Sequence, residues 1–325
     1  MPMALSEFEL IERYFRRCGA VRADVRLGVG DDAALLEIGA GMTLVAAVDT
    51  LVEGVHFPPG CRAESIGHRA LAVNLSDLAA MGARPAWALL ALTLPSAEAS
   101  WLEAFTRGFA ALAEAHQVAL VGGDTTHGPL AVTVTLLGQV QAGTALRRGG
   151  AARGDALFVS GTPGDAAAGL ALEQGRLAAQ EHGEYLRKRF LFPTPRVALG
   201  ERLRGYASAC IDVSDGLLAD AVKLARASGC GVELEAERLP LSAALGALGT
   251  RQARELALAG GDDYELCFAV PPDALARLEA QLPAAQWGYA RIGTLCAEPA
   301  ARVRDEAGEL TVSVAGYDHF SAPQA

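Results

Sequence analysis

The sequence predicts an α/β (α+β) protein of two domains, each a mixed sheet covered by helices. Three observations carry that expectation. The chain has 325 residues, about twice the size of a common single domain. Short apolar runs that read as strands alternate with stretches of helical period through both halves. A small, basic, glycine-rich stretch at 142–154, Ala-Gly-Thr-Ala-Leu-Arg-Arg-Gly-Gly-Ala-Ala-Arg-Gly, reads as the linker between them.

In the first half, Ser6 opens a helix with Glu9 as its capping-box partner, and Phe8, Ile11, Tyr14 and Phe15 recur at helical spacing. Residues 43–48 read as a buried strand that ends at Asp49. A long helix is expected over 63–81, a strand over 87–93 and a helix over 98–116. A strand over 118–121 follows, stopped by Gly122 and Gly123. Residues 130–140 form a long strand whose Thr133 and Thr135 make one face partly polar. In the second half a strand at 156–160 turns through 161–164 into a helix. Helices near 181–190 and 196–204 come next, then a strand ending at Asp212 and a helix from Asp215. Strands at 265–270 and near 289–295, 301–304 and 310–314 complete the chain.

Half of the residues are hydrophobic, ample for two cores, and the net charge is −10. An acidic chain lacks the surface that neutralises phosphates, so nucleic acid is not an expected partner. The longest strongly apolar run, 86–94, is far too short to span a bilayer, and the N-terminus has no signal-peptide pattern, so no membrane partner is expected. Six scattered cysteines without a CxxC pair read as buried free thiols of a reducing cytoplasm.

Six aspartate-bearing turns interrupt the apolar runs: Gly30-Asp31-Asp32, Val48-Asp49-Thr50, Leu75-Ser76-Asp77, Gly122-Gly123-Asp124, Asp212-Val213-Ser214-Asp215-Gly216 and Gly260-Gly261-Asp262-Asp263. Carboxylates gathered at strand ends repel unless hard cations lie between them, and oxygen-only ligands select Mg²⁺, Mn²⁺ or Ca²⁺ over zinc. Each turn also has a plain explanation. Asp and Gly are ordinary turn residues, and Asp215 could be a helix cap. Asn74 and Asp77, one helical turn apart, could be a buried hydrogen-bonded pair. A lone histidine such as His56 is more often structural than catalytic. Their joint occurrence favours an enzyme that holds Mg²⁺ and a phosphate-rich ligand.

Walker A and protein-kinase motifs are missing from the sequence, and Lys188 and Lys223 are its two lysines. ATP chemistry here must therefore rest on metals and arginines, with Arg147 and Arg148 as candidates for phosphate contacts.

The order of these motifs resembles the thiamine-phosphate kinase family of the AIR synthase-related, PurM-like superfamily. The likeness runs from Gly28-Val-Gly-Asp-Asp32 through Asp49-Thr-Leu-Val-Glu-Gly-Val-His56-Phe57, Asn74-Leu-Ser-Asp-Leu-Ala-Ala-Met-Gly82 and Gly122-Gly-Asp-Thr125. It continues through Arg148, Gly161-Thr-Pro-Gly-Asp165, Asp212-Val-Ser-Asp-Gly216 and Gly261-Asp-Asp-Tyr-Glu-Leu266 to Gly316-Tyr-Asp-His-Phe320. The resemblance implies an N-terminal AIR synthase-related domain over 1–145 and a C-terminal one over 146–325, with a cytoplasmic homodimer built through the N-terminal sheets. It implies Mg²⁺-assisted transfer of the γ-phosphoryl group of ATP to thiamine monophosphate, giving thiamine diphosphate and ADP. By motif position, Asp32, Asp49, Asp77, Asp124, Asp212 and Asp215 would hold several Mg²⁺ ions. Gly123, Asp124, Arg148 and Ser214 would bind ATP, and His56, Asp262 and Tyr317 would bind the substrate. No side chain is expected to act as a chemical catalyst, because the attacking phosphate oxygen is already ionised.

Two departures stand out. Ala47-Val48 replaces the hydroxyl residues common before the metal-binding Asp. Asp262 stands where the family has Glu, so its carboxylate is one methylene shorter. The competing readings are another ATP-dependent synthetase of the superfamily and a non-catalytic acidic Ca²⁺-binding module. The latter predicts a DxDxDG loop that the sequence lacks.

Overall fold

A computed structural model describes residues 7–178, 181–312 and 316. The chain divides into two compact units, residues 1–78 with 83–144 and residues 79–82 with 145–325.

In the first unit a short helix α1 (Glu7–Leu10) continues as a π-helical turn over Ile11–Phe15, and Leu10, Tyr14 and Phe15 are buried. A small ribbon pairs β1 (Val25–Leu27) with β2 (Leu35–Leu36). The main sheet takes the order β3-β6-β4-β5, built from β3 (Met42–Val52), β4 (Arg84–Leu94), β5 (Ala119–His127) and β6 (Ala131–Gln141). Pairing is antiparallel except between β4 and β5. Val132, Val134, Leu136 and Val140 alternate along β6 as its buried side, the period-2 pattern of a sheet with one covered face.

Helices α2 (Ala63–Ala80) and α3 (Ala99–Ala115) cover that face. Glycines set how close they come. A Cβ on Gly67 would stand 2.1 Å from the Phe105 carbonyl oxygen, and one on Gly108 would stand 1.9 Å from that of Glu64. A Cβ on Gly138 of β6 would meet Leu78 of α2 at 2.5 Å.

Two expectations for this unit need correction. The strand at 43–48 does not end at Asp49 but runs to Val52, and it is not buried: Val48 is 61% exposed and Leu44 43% exposed. Its even-numbered residues lie on the uncovered face, so the apolar run reflects an open surface. Nor do Gly122 and Gly123 stop β5. The register shifts between Ala88 and Leu89, and a Cβ on Gly123 would fall 1.8 Å from the Leu90 carbonyl oxygen. The glycines allow a bulged strand to continue.

The second unit is built on a seven-stranded sheet, order β13-β12-β9-β11-β7-β10-β8. Its elements are β7 (Ala156–Ser160), α4 (Asp165–Glu173), α5 (Gly183–Leu191), α6 (Val197–Leu203), β8 (Ala209–Val213), α7 (Leu217–Ala227) and β9 (Gly231–Glu235). The rest are α8 (Ala243–Gly246), α9 (Thr250–Ala259), β10 (Glu265–Val270), α10 (Leu275–Gln281), α11 (Ala284–Trp287), β11 (Tyr289–Cys296), β12 (Ala301–Asp305) and β13 (Gly308–Leu310). Strands β7, β8 and β10 are buried along their whole length, as expected of runs with no polar alternation. Leu157, Val159, Ile211, Val213, Cys267 and Ala269 pack on one side of the sheet. Phe158, Phe268 and Tyr289 form an aromatic cluster with centroids 5.4 to 5.6 Å apart.

Helix α7 begins at Leu217, two residues after Asp215, because Gly216 takes a positive φ and breaks the chain direction. Among the described residues the last strand is Gly308–Leu310, with 311–312 outside it, and the rest of the expected strand at 310–314 lies outside the described residues. All six cysteines are free, but Cys61 and Cys296 are half-buried, against the expectation of six buried thiols. Burial pushes the Cys18 thiol up to about 12. Among the described residues no helix is long and apolar enough to cross a membrane.

Candidate functional site

In the first unit the structure brings Asp49 and Asp77 together. Asp49 lies in β3 on the rung of Val134, and the half-buried Asp77 lies on α2. Their carboxyl groups are hydrogen-bonded to each other, and His56 adds a favourable charge interaction. Burial pushes the Asp49 carboxyl above the usual range, opposed by Asp77 and His56. The His56 ring is fixed by its own loop, since Nδ1 accepts the Val52 N–H at 3.0 Å. In the neutral ring that places the proton on Nε2.

One turn before Asp77, Asn74 is fully buried. Its Nδ2 donates to the Ala70 carbonyl at 3.2 Å, while its Oδ1 has no hydrogen-bond partner among the described residues. The amide nitrogen is thus held by its own helix backbone. Two facing carboxylates with an unsatisfied amide oxygen on the same helix need a proton or a hard cation, and an oxygen-only set suits Mg²⁺. The other acids of this unit stand apart in register. Asp124 is exposed on β5 beside Ala91, on the rung of Thr50 and Thr133, with β4 and β6 between it and the strand of Asp49. Asp32 is exposed, and its N–H is capped by the Asp31 carboxylate at 2.8 Å. Among the described residues no three acid, histidine or cysteine side chains form a ready-made metal cage. The donor chemistry fits Mg²⁺ while the cage is not closed by the protein alone.

In the second unit Asp212 is buried near the end of β8, paired across the sheet with Leu266. The loop after it is tied down by Asp220, a residue absent from the sequence-based set. The Asp220 carboxylate is 1% exposed and accepts the N–H groups of Ser214 and Asp215, both at 3.0 Å. Lys223 then reaches both acids, 2.7 Å from Asp220 and in close contact with Asp215. Burial alone would depress the Lys223 amine, but these two carboxylates outweigh it and raise its pKa. Asp215 therefore already has a cationic partner, which any Mg²⁺ there would share or displace. The signal was legible: Asp220 and Lys223 stand at i and i+3 on one helix face. Arg148 is exposed, and its carbonyl accepts the Ser228 hydroxyl at 3.4 Å.

The segment at 260–265 carries the strain in this unit. Asp262 and Tyr264 adopt left-handed backbone at φ 69° and 52°, which costs on the order of 1 kcal/mol each for residues other than glycine. The Asp262 N–H donates to the Ser214 carbonyl at 2.9 Å, the Tyr264 N–H to that of Val213 at 2.8 Å, and the Tyr264 hydroxyl to the Asp262 carboxylate at 3.1 Å. A Cβ on Gly261 would lie 2.5 Å from the Ser214 oxygen, so a glycine is needed for this approach.

The two acids that follow are fully buried. Asp263 accepts the N–H groups of Gly164 at 2.6 Å and Ala166 at 3.1 Å, and burial pushes its carboxyl well up. Glu265 accepts a bidentate pair from Arg196 at 2.6 and 2.7 Å, Arg189 at 2.7 Å and the Ser160 hydroxyl at 2.5 Å. Burial acts to raise Glu265, but the arginines and Ser160 outweigh it and hold it below the usual carboxylate range. Sequence reasoning missed this cluster. Its available signal was a glutamate opening the apolar strand Leu266–Val270. Tyr317 lies outside the described residues.

The chain matches the model of the AIR synthase related protein, N-terminal domain, over residues 30–140, and that of the C-terminal domain over 152–306. It is 48% identical to thiamine-monophosphate kinase of Salmonella typhimurium over 326 aligned residues, covering 99% of this chain and all of the relative. Among solved structures, the thiamine-monophosphate kinase of Stenotrophomonas maltophilia is 52% identical with a TM-score of 0.82, covering 87% of this chain and 92% of that one. A structure of AaThiL complexed with AMPPCP and TMP is 31% identical with a TM-score of 0.77, covering 98% of this chain and all of that one. With paired acids on a two-unit α/β scaffold and full-length identity of this order, the chain belongs to the thiamine-monophosphate kinases of the AIR synthase related family.

Proposed function

We propose that the protein transfers the γ-phosphoryl group of ATP to thiamine monophosphate, releasing thiamine diphosphate and ADP, with Mg²⁺ held by its aspartates. The observation that carries the metal part is the Asp49–Asp77 pair beside the unsatisfied Asn74 oxygen. Family membership carries the substrates, supported by the relative complexed with AMPPCP and TMP.

Asp32, Asp49, Asp77 and Asp124 of the first unit, and Asp212 and Asp215 of the second, would hold the ions. Bound Mg²⁺ neutralises phosphate charge that would otherwise keep two anionic substrates apart. The chain's own residues bind and orient. Gly123 lacks a side chain where a backbone must come close, Asp124 offers oxygens next to it on β5, Ser214 offers a hydroxyl in the loop after β8, and Arg148 supplies a planar cation for phosphate. His56 and Asp262 serve the thiamine phosphate, and Lys223 holds Asp215 in place.

The reading includes a cytoplasmic homodimer. The exposed apolar residues Leu44 and Val48 on the uncovered sheet face support the association, and six free cysteines support a reducing compartment.

The test incubates EDTA-treated protein with ATP and thiamine monophosphate, with and without added Mg²⁺, and identifies the products. Thiamine diphosphate and ADP in equal amounts, dependent on Mg²⁺, are expected. An unchanged rate without metal would remove the metal reading, and equal phosphorylation of free thiamine would remove the substrate reading.

A further inference from the structure

The segment 260–265 is anchored far more heavily than a surface turn requires. Left-handed backbone at Asp262 and Tyr264 favours relaxation toward the extended region, which would redirect the Asp262 side chain. Backbone contacts to Val213 and Ser214 oppose that relaxation. Two fully buried acids of the same segment grip other elements: Asp263 holds the N–H groups of Gly164 and Ala166 at the start of α4, and Glu265 holds Arg189 and Arg196. Room for this exists because residue 161 is glycine: a Cβ there would stand 2.0 Å from the Glu265 carboxylate. Both acids are 0% exposed, so neither reaches a ligand itself.

We propose that Asp263 and Glu265 are positioning residues that lock the strained turn and thereby aim Asp262 at the acceptor substrate. The inference rests on the reading of Asp262 as substrate-facing. It assigns the two buried acids a role in affinity for thiamine monophosphate, not only in folding. A merely structural clamp would change stability and the active fraction, and so kcat per total protein, without altering KM for one substrate.

The experiment compares Asp263→Asn, Arg196→Lys and Asp262→Ala at saturating Mg²⁺, varying each substrate with the other saturating. In Asp263→Asn the amide nitrogen faces one of the two N–H donors, so one anchor contact is lost. KM for thiamine monophosphate is expected to rise about tenfold, the effect of one charge-assisted hydrogen bond, with kcat and KM for ATP within about twofold. Arg196→Lys keeps the charge at a partly exposed side chain but loses the bidentate grip, and should raise the same KM about threefold. It decides the question if Asp263→Asn does not fold. A raised KM in Asp262→Ala with normal KM in Asp263→Asn or, failing that, in Arg196→Lys overturns the positioning role alone. A normal KM in Asp262→Ala overturns the substrate reading of Asp262 and this proposal with it.

Discussion

Two carboxylates in hydrogen-bonding contact are an unusual use of charge, and Asp49 and Asp77 are so placed, with His56 as a favourable neighbour of Asp49. Asn is nearly isosteric with Asp but cannot supply the charge a hard cation needs. Asp49→Asn and Asp77→Asn should each lower kcat on the order of a hundredfold at saturating Mg²⁺, with melting temperature kept or raised, since like charge is removed. Near-normal turnover in either variant would return that residue to a structural role. Lys223 makes the opposite case. Lys223→Met leaves the buried Asp220 without its cation and should cost about 1 to 2 kcal/mol, discounted for the half-exposed amine, as read by urea unfolding. The residue types were legible in sequence: acids interrupting apolar runs, an asparagine in an apolar helix. Their partners were not. Asp49 meets Asp77 across 28 residues, and that meeting depends on how α2 lies on the sheet.

Elements were more legible than their ends. The helices at 63–81 and 98–116 follow from period and length, and the structure places them at Ala63–Ala80 and Ala99–Ala115. The strand ends failed where glycine was read as a stop. In β5 the glycines sit at a bulge against β4, a tertiary reason that local propensity cannot carry. The ribbon at 25–36, the strand at 231–235 and the four α-helices between 243 and 287 were not among the expected elements. Gly67 and Gly108 show what close crossing demands. Gly108→Ala would place a methyl 1.9 Å from the Glu64 carbonyl oxygen, forcing α2 and α3 apart. The change adds helix propensity, worth about 1 kcal/mol, yet overpacking should outweigh it. A net loss of about 2 kcal/mol by chemical denaturation is expected.

At the scale of the whole molecule, the buried Glu265 cluster should shape the acid limb of stability. Its folded pKa is depressed below the ordinary glutamate value, so its contribution is present above about 4.3 and is lost as pH falls from there through the folded value. Glu265→Gln should lower stability at neutral pH and flatten the decline below about pH 4, as measured by urea midpoints across pH. Assembly has a separate signature. A sheet face that leaves Val48 61% exposed and Leu44 43% exposed carries apolar surface that a monomer would hold against water. In a twofold dimer the same patch serves both copies, so one substitution alters the interface twice. Val48→Asp changes an exposed residue and leaves the buried side of β3 intact, so the monomer should fold with an unchanged circular dichroism spectrum. Light scattering should then report a dimer for the parent protein and a shift toward monomer mass for the variant. A parent that scatters as a monomer over a wide concentration range would refute the dimer, and the apolar face would need another explanation.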